Sequence, residues 1–283
     1  MNKALLPVFF TVLVVASSQA QTIWSYDFDG TGSLTTGSST NTFVVPPTGG
    51  GTNIFRIGAA GGSFTLGASS FGSGNSLIGK APGTSSINKF TTFNWSDPTT
   101  AFSLKFDLRM SGGSAGFWSI FAGNGASFDA GGTTFTGNQV FSALRLAYGA
   151  SGTITASNRA GNTYATISGT GLSQSNNFSV AMYGNNSASS IVYDGNTLAS
   201  GRYDLWVNNT LVAPSLTKSE IASGTLIDSF MIYGENSVGN TATFEIDNLQ
   251  YANYAIPEPS SSMLMVLGAA GLIGIRAFGR KRE

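Results

Sequence analysis

Between Ala101 and Met110 the residues Phe102, Leu104, Phe106, Leu108 and Met110 alternate with Ser103, Lys105, Asp107 and Arg109. A strict period of two puts one set on each face of a strand, and no helix repeats that way. Noisier runs of the same kind stand at 117–121, 140–148, 163–167, 178–183, 203–207, 226–233 and 241–249. Between them lie Ser111-Gly112-Gly113, Asp194-Gly195 and Asn208-Asn209, residues suited to the backbone of tight turns. Outside the two ends no segment carries a 3.6-residue period. Many strands with one apolar face, and no alternation of strands with helices, predict an all-β fold. Two antiparallel sheets packed as a β-sandwich, with a jelly roll as the simplest version, satisfy that pattern.

Residues 31–90 have a different texture, rich in Gly, Ser and Thr with apolar islands at Phe43-Val44-Val45, Ile54-Phe55-Arg56-Ile57, Phe64-Thr65-Leu66 and Leu77-Ile78. Low-complexity polar chain and short edge strands are both open readings. Islands recurring about every 10 residues favour the strands. No linker rich in Pro or charge divides residues 21–255, so one domain is expected there.

The two ends differ in kind from the middle. Met1-Asn2-Lys3 is a basic head, Ala4 to Ala16 is a nearly unbroken apolar run, and Ser18-Gln19-Ala20 places small residues where signal peptidase reads. A membrane anchor needs about 20 apolar residues, so the shorter run predicts a secretory signal over 1–20, cut between Ala20 and Gln21. At the other end Pro257-Glu258-Pro259 is followed by Ser260-Ser261-Ser262, an apolar run from Met263 to Ile275, and a basic tail (276–282) with Arg276, Arg280, Lys281 and Arg282. The prolines hold the chain extended and outside the next helix. A helix over 263–275 would barely reach across a hydrocarbon core, and the cations behind it would stay on the cytoplasmic side. A plain tail anchor is the alternative, but it has no use for the prolines.

In this order the three parts resemble the PEP-CTERM sorting signal of Gram-negative bacteria that secrete exopolysaccharide. The resemblance covers 256–283 and implies recognition at Pro257, Glu258 and Pro259 by an exosortase, a membrane-embedded transpeptidase-like enzyme. It further implies a transient inner-membrane anchor, then release or transfer to the cell surface or extracellular matrix.

Composition narrows the chemistry. With no Cys and no His in 283 residues, there is no disulfide frame, no Cys/His zinc site and no triad built on imidazole or thiolate. Setting aside the two terminal segments leaves 9 basic and 12 acidic residues without a basic stripe in the sequence, so no nucleic-acid partner is expected. The Gly-rich string Gly58 to Gly62 lacks the Lys-Ser/Thr pair of a phosphate loop and reads as a turn.

Three segments, Ala101–Met110, Gly201–Val212 and Phe244–Leu249, resemble in type and order the concanavalin A-like lectin and glucanase sandwich. The laminarinase-type members of that group carry Glu, an apolar residue, Asp and a second Glu on one strand. Here Glu245-Ile246-Asp247-Asn248-Leu249-Gln250 begins that way and then places an amide at the second carboxylate. An amide cannot move the catalytic proton, so no catalytic residue is expected. Asp27 and Asp29 share one strand face and, with Asp247 on the last strand, could supply hard oxygen ligands to a structural Ca²⁺. Alternatively they are solvated carboxylates. For sugar contact an exposed aromatic ring is needed. Among Trp95, Trp118, Tyr203 and Trp206, the last shares its face with Arg202 and Asp204, which makes Trp206, Asp204 and Asn208 the candidate contact; burial in the core is the competing reading. The expected function is a secreted, non-catalytic surface or matrix protein associated with exopolysaccharide. A lectin-like carbohydrate-binding module is the alternative, and a degenerate glycoside hydrolase stands third.

Overall fold

The computed structural model describes residues 22–129 and 136–253. The predicted signal peptide with Ala20 and Gln21, and the sorting residues Pro257, Glu258, Pro259, Arg276, Arg280, Lys281 and Arg282, lie outside the described residues. Among the described residues no helix is long and apolar enough to cross a membrane.

The first part of the chain forms β1 (Thr22–Tyr26), β2 (Gly32–Leu34), β3 (Gly37–Thr40), β4 (Thr52–Ile57), β5 (Ser63–Ala68), β6 (Asn75–Lys80) and β7 (Ile87–Phe93). Then come β8 (Ala101–Ser111), β9 (Phe117–Gly123), the single-turn helix α1 (Ala126–Asp129), β10 (Val140–Tyr148), β11 (Ile154–Ala160) and β12 (Thr163–Ile167). The last part gives β13 (Asn177–Asn185), β14 (Ile191–Tyr193), β15 (Asn196–Leu198), β16 (Arg202–Val207), β17 (Thr210–Thr217), β18 (Ser229–Glu235) and β19 (Thr243–Ala252). Sheet A runs β17-β16-β13-β8-β19-β6-β5-β2, with β1 also paired to β19; sheet B runs β12-β11-β10-β9-β18-β7-β4-β3. All pairings are antiparallel.

The expected all-β antiparallel sandwich is therefore what forms, and the alternation in β8 explains how. Phe102, Leu104, Phe106, Leu108 and Met110 are buried in the core between the sheets, while Lys105, Asp107 and Arg109 face outward. Segments 101–110, 201–212 and 244–249 all join sheet A, as β8, the β16–β17 hairpin and β19. The Asn208-Asn209 turn has φ of 49° and 59°, the paired left-handed conformation that suits a two-residue hairpin.

The Gly-rich stretch 31–90 does more than the edge role its composition suggested. β7 lies between β18 and β4, and β6 between β19 and β5, so both are interior strands. Across β4 to β7, Phe55, Phe64, Leu77 and Phe90 insert into the core with no measurable exposure. Trp118, on β9, fills the centre and donates from Nε1 to the Ala242 carbonyl at 3.1 Å. A Cβ on Gly79 or Gly234 would come within 2.8 or 2.7 Å of its indole. Each sheet thus omits a side chain where the largest ring needs room.

Candidate functional site

The outer face of sheet A carries the residues singled out from the sequence. β1 ends at Tyr26, and Phe28, held at φ 56°, turns Asp27 and Asp29 to the outside while its own ring stays buried. On the neighbouring β19 a bulge follows Asp247, with Asn248 at φ 50°. The loop after β5 closes the third side. Asp27, Asp29, Phe71, Gly72, Ser73, Asp247 and Asn248 line one cleft of about 270 Å³. The cleft thus brings Asp27, Asp29 and Asp247, singled out from the sequence, to one place.

Each of these carboxylates accepts from the protein, Asp247 through both its oxygens. Ser69 Oγ donates to Asp247 Oδ2 at 2.9 Å and the Asn248 amide to Oδ1 at 2.8 Å. The Asn75 amide donates to Asp29 Oδ1 at 2.7 Å, and the Asp29 amide to Asp27 Oδ1 at 3.2 Å. Gly74, at φ +91°, is required there, because a Cβ would meet Asp29 Oδ1 at 2.2 Å. Burial pushes the Asp247 carboxyl above the ordinary carboxylate range; Ser69 and Asn248 pull it back, and the charges of Asp107 and Asp29 raise it further. Asn248 Nδ2 bridges to Asp107 Oδ2 at 2.8 Å across the bulge, where Asp107 and Asp247 stand opposite each other. Hard oxygens are the correct donor type for Ca²⁺, which takes six to eight of them. Among the described residues, however, no three Asp or Glu side chains are grouped closely enough to hold a metal ion. The cleft is an acidic loop anchor whose donors come mainly from the protein itself.

Glu245 has the same character. It is 6% exposed, and its Oε1 accepts from the Ser70 amide at 2.6 Å and from Ser76 Oγ at 2.8 Å. Arg109 stands opposite it in register and donates to Ser70 Oγ at 2.6 Å. Gln250 lies beyond the bulge, opposite Lys105. The Glu-Ile-Asp segment thus fastens the 69–75 loop to the sheet.

The candidate sugar contact is also on the outer face of sheet A, as the alternation implied, but it is roofed. The β14–β15 hairpin folds back over it, stacking Tyr193 on Tyr183 with ring centroids 4.5 Å apart. Trp206 is half-buried beneath the hairpin, and its Nε1 donates to Tyr193 Oη at 3.0 Å. Tyr193 in turn donates to Asp204, which also accepts from the Ser215 amide at 2.6 Å and is 4% exposed. Asn208 is exposed at the β16–β17 turn, and its Oδ1 accepts from the Ser179 amide at 2.9 Å. Trp95, Trp118 and Tyr203 are buried. The three candidate residues are near one another in sequence without sharing an open surface, because the alternation could not show the hairpin above them.

A cluster not singled out from the sequence stands on the outer face of sheet B. Arg145 lies over the rings of Phe117 and Tyr164, at 4.2 and 3.6 Å from the centroids, with Tyr233 and Glu235 nearby on β18. All five are half-buried. The alternation of β10 marks Arg145 as outward, but its aromatic neighbours come from strands distant in sequence.

The described residues thus define a β-sandwich domain with an acidic, loop-covered face and a mixed basic and aromatic one. The chain beyond it, residues 255–282, matches the family model of the PEP-CTERM protein-sorting motif. That motif indicates export to the cell envelope or surface and processing by an exosortase. No curated protein matches the chain. Among solved structures it is similar to the carbohydrate recognition domain of Emp46p in its potassium-bound form, at 12% identity and a TM-score of 0.40, covering 64% of this chain and 84% of that one. It is also similar to the binding domain of botulinum neurotoxin serotype D, at 14% identity and a TM-score of 0.43, covering 81% of this chain and 49% of that one. The carbohydrate esterase vb_24B_21 from Shiga toxin-encoding bacteriophage phi24B is similar at 10% identity and a TM-score of 0.48, covering 84% of this chain and all of that one. These are distant likenesses, and neither ligand nor activity passes from them to this chain.

Proposed function

We propose that this is an exported, non-catalytic β-sandwich protein, delivered through its sorting motif to the cell surface or matrix, where it associates with exopolysaccharide. The observation that carries the reading is the motif at 255–282 behind a folded domain. The state of Glu245 and Asp247 supports its non-catalytic part. A catalytic pair of carboxylates needs open access to a glycosidic oxygen, whereas these two are buried and hold a loop. Fractionation of the producing cell tests the reading. The protein is expected in the surface or matrix fraction and retained by the cell's own polysaccharide, with no release of reducing sugar. Sugar release by the purified protein would overturn the non-catalytic part, and lack of retention would overturn the association.

A carbohydrate-binding module is the second reading, and the half-buried rings around Arg145 favour it. It differs from the first in demanding saturable binding to a defined glycan, which an array of polysaccharides measures.

A further inference from the structure

One transverse row crosses the outer face of sheet B. In register, Arg56 stands opposite Lys89, Lys89 opposite Tyr233, Tyr233 opposite Ser119, Ser119 opposite Arg145, and Arg145 opposite Ser157. Their chain neighbours Phe55, Phe90, Ile232, Ile120, Leu144 and Ala156 point into the core, which fixes the row on the outside. Serines on either side of Arg145 leave room around it. Phe117 reaches it from β9, and Tyr164 reaches it from β12 past the small Ser157.

Two rings, one from each side, hold the guanidinium by cation–π contact and restrict its rotation. Its Nε is buried without a hydrogen-bond partner. Glu235 is close enough to feel the charge of Arg145, yet its Oε2 accepts from Tyr233 Oη at 3.1 Å. A guanidinium clamped on its faces offers ligands only its edge, and that edge matches a carboxylate through two parallel N–H···O bonds. Because the side chain is already ordered, little rotamer freedom is lost on binding. Lys89 is 2% exposed and donates to the Ser127 carbonyl at 3.4 Å, so the next cation open to a ligand is half-exposed Arg56, four strands from Arg145. At about 4.8 Å per strand, Arg145 and Arg56 stand roughly 19 Å apart, the reach of an extended polyanion instead of a single small ion. Half-exposed Tyr164 and Tyr233 add ring faces and hydroxyls for the sugar itself.

We propose that Arg145, at the centre of this row, receives the carboxylate of an acidic, uronate-type polysaccharide laid across the strands of sheet B. The proposal rests on the reading of the protein as polysaccharide-associated, and it names the face and the chemical class. Affinity electrophoresis of the exported protein tests it, in gels holding polygalacturonate, neutral dextran or polyphosphate. Polygalacturonate is expected to retard the protein in a salt-sensitive way, with dextran and polyphosphate far weaker. Arg145→Gln is expected to lose at least about tenfold in affinity, since a bidentate charged contact contributes on that scale, while Tm falls by only a few degrees from the lost ring contacts. Arg145→Lys keeps the charge without the fork and should recover only a small part. Tyr164→Ala, on an edge strand, opens the clamp and should cost several-fold. Equal retardation of wild type and Arg145→Gln overturns the site, and so does polyphosphate binding as well as polygalacturonate. Retention on dextran that is indifferent to Arg145 sinks the site and leaves the polysaccharide reading standing. Retention on no polysaccharide, the producer's own included, sinks both.

Discussion

The two outer faces of the sandwich are built from the same alternating strands and end in opposite conditions. On sheet A, Asp204, Glu245 and Asp247 are all at most 6% exposed, because the 69–75 loop and the β14–β15 hairpin lie over them. On sheet B the α1 segment covers Phe121, Val140, Ala143 and Met231, while Arg56, Arg145, Tyr164 and Tyr233 at the margin stay half-exposed. A polar residue on the wet side of a strand pattern is therefore not yet a surface residue. Loops decide which face a ligand can reach, and here they have converted the carboxylate-rich face into structure.

The largest expected effect breaks the roof of sheet A. Tyr193→Ala removes a stacked ring, leaves Oδ2 of buried Asp204 without its donor and deprives Trp206 Nε1 of its acceptor. A loss of about 3–5 kcal/mol in urea unfolding is expected, together with easier quenching of tryptophan fluorescence. The matching change on sheet B, Tyr164→Ala, should cost only about 1 kcal/mol, since that ring is half-exposed on an edge strand. Similar losses for the two would mean the faces are equally structural. Next in size, Glu245→Ala strands the Ser70 amide and Ser76 hydroxyl. About 2–3 kcal/mol should be lost, with polysaccharide retention unaffected; a drop in retention at full stability would place ligand on the wrong face.

A smaller effect is pH-dependent. The folded-state pKa of Asp247 is raised, so its favourable contribution is present below the ordinary carboxylate value and is lost as pH rises through the folded one. Asp247→Asn removes that dependence. The stability of the variant relative to wild type should be most favourable near pH 7 and decline as pH falls through the raised folded-state value toward the ordinary carboxylate one, as followed by Tm. A difference that stays constant with pH would remove Asp247 as the strained carboxyl. Smallest of all is calcium. With both Asp247 oxygens accepting from protein donors, millimolar Ca²⁺ should move Tm by less than about 2 °C, and a larger rise would mean that the cleft rearranges to take the ion.

Much of this fold was legible in the sequence, and the reasons are local. β8 announced itself because its core side is apolar at every second position, and the β16–β17 turn because Asn-Asn suits left-handed backbone. β6 and β7 were harder, since Gly79 and the polar Asn88 and Thr92 sit where the pattern wants apolar side chains. Gly79 makes room for Trp118, and Asn88 donates to the Gly61 and Lys80 carbonyls, needs set by other parts of the fold. Site residues were partly legible. Asp27, Asp29 and Asp247 meet because first and last strands pair. Trp206 took the predicted face, but a hairpin inserted between β13 and β16 covers it. The alternation of β10 marked Arg145 only as outward, because its two rings arrive from β9 and β12.

The central claim is delivery by the C-terminal motif, and intact-mass analysis of the surface fraction tests it most directly. Wild-type chains should be recovered there without the apolar segment and basic tail that follow Pro259. A variant with Pro257, Glu258 and Pro259 all changed to Ala should remain full length at that end in the inner membrane. Wild-type chains carrying an intact terminus through Glu283 at the surface, or a triple variant sorted as efficiently as wild type, would contradict the account.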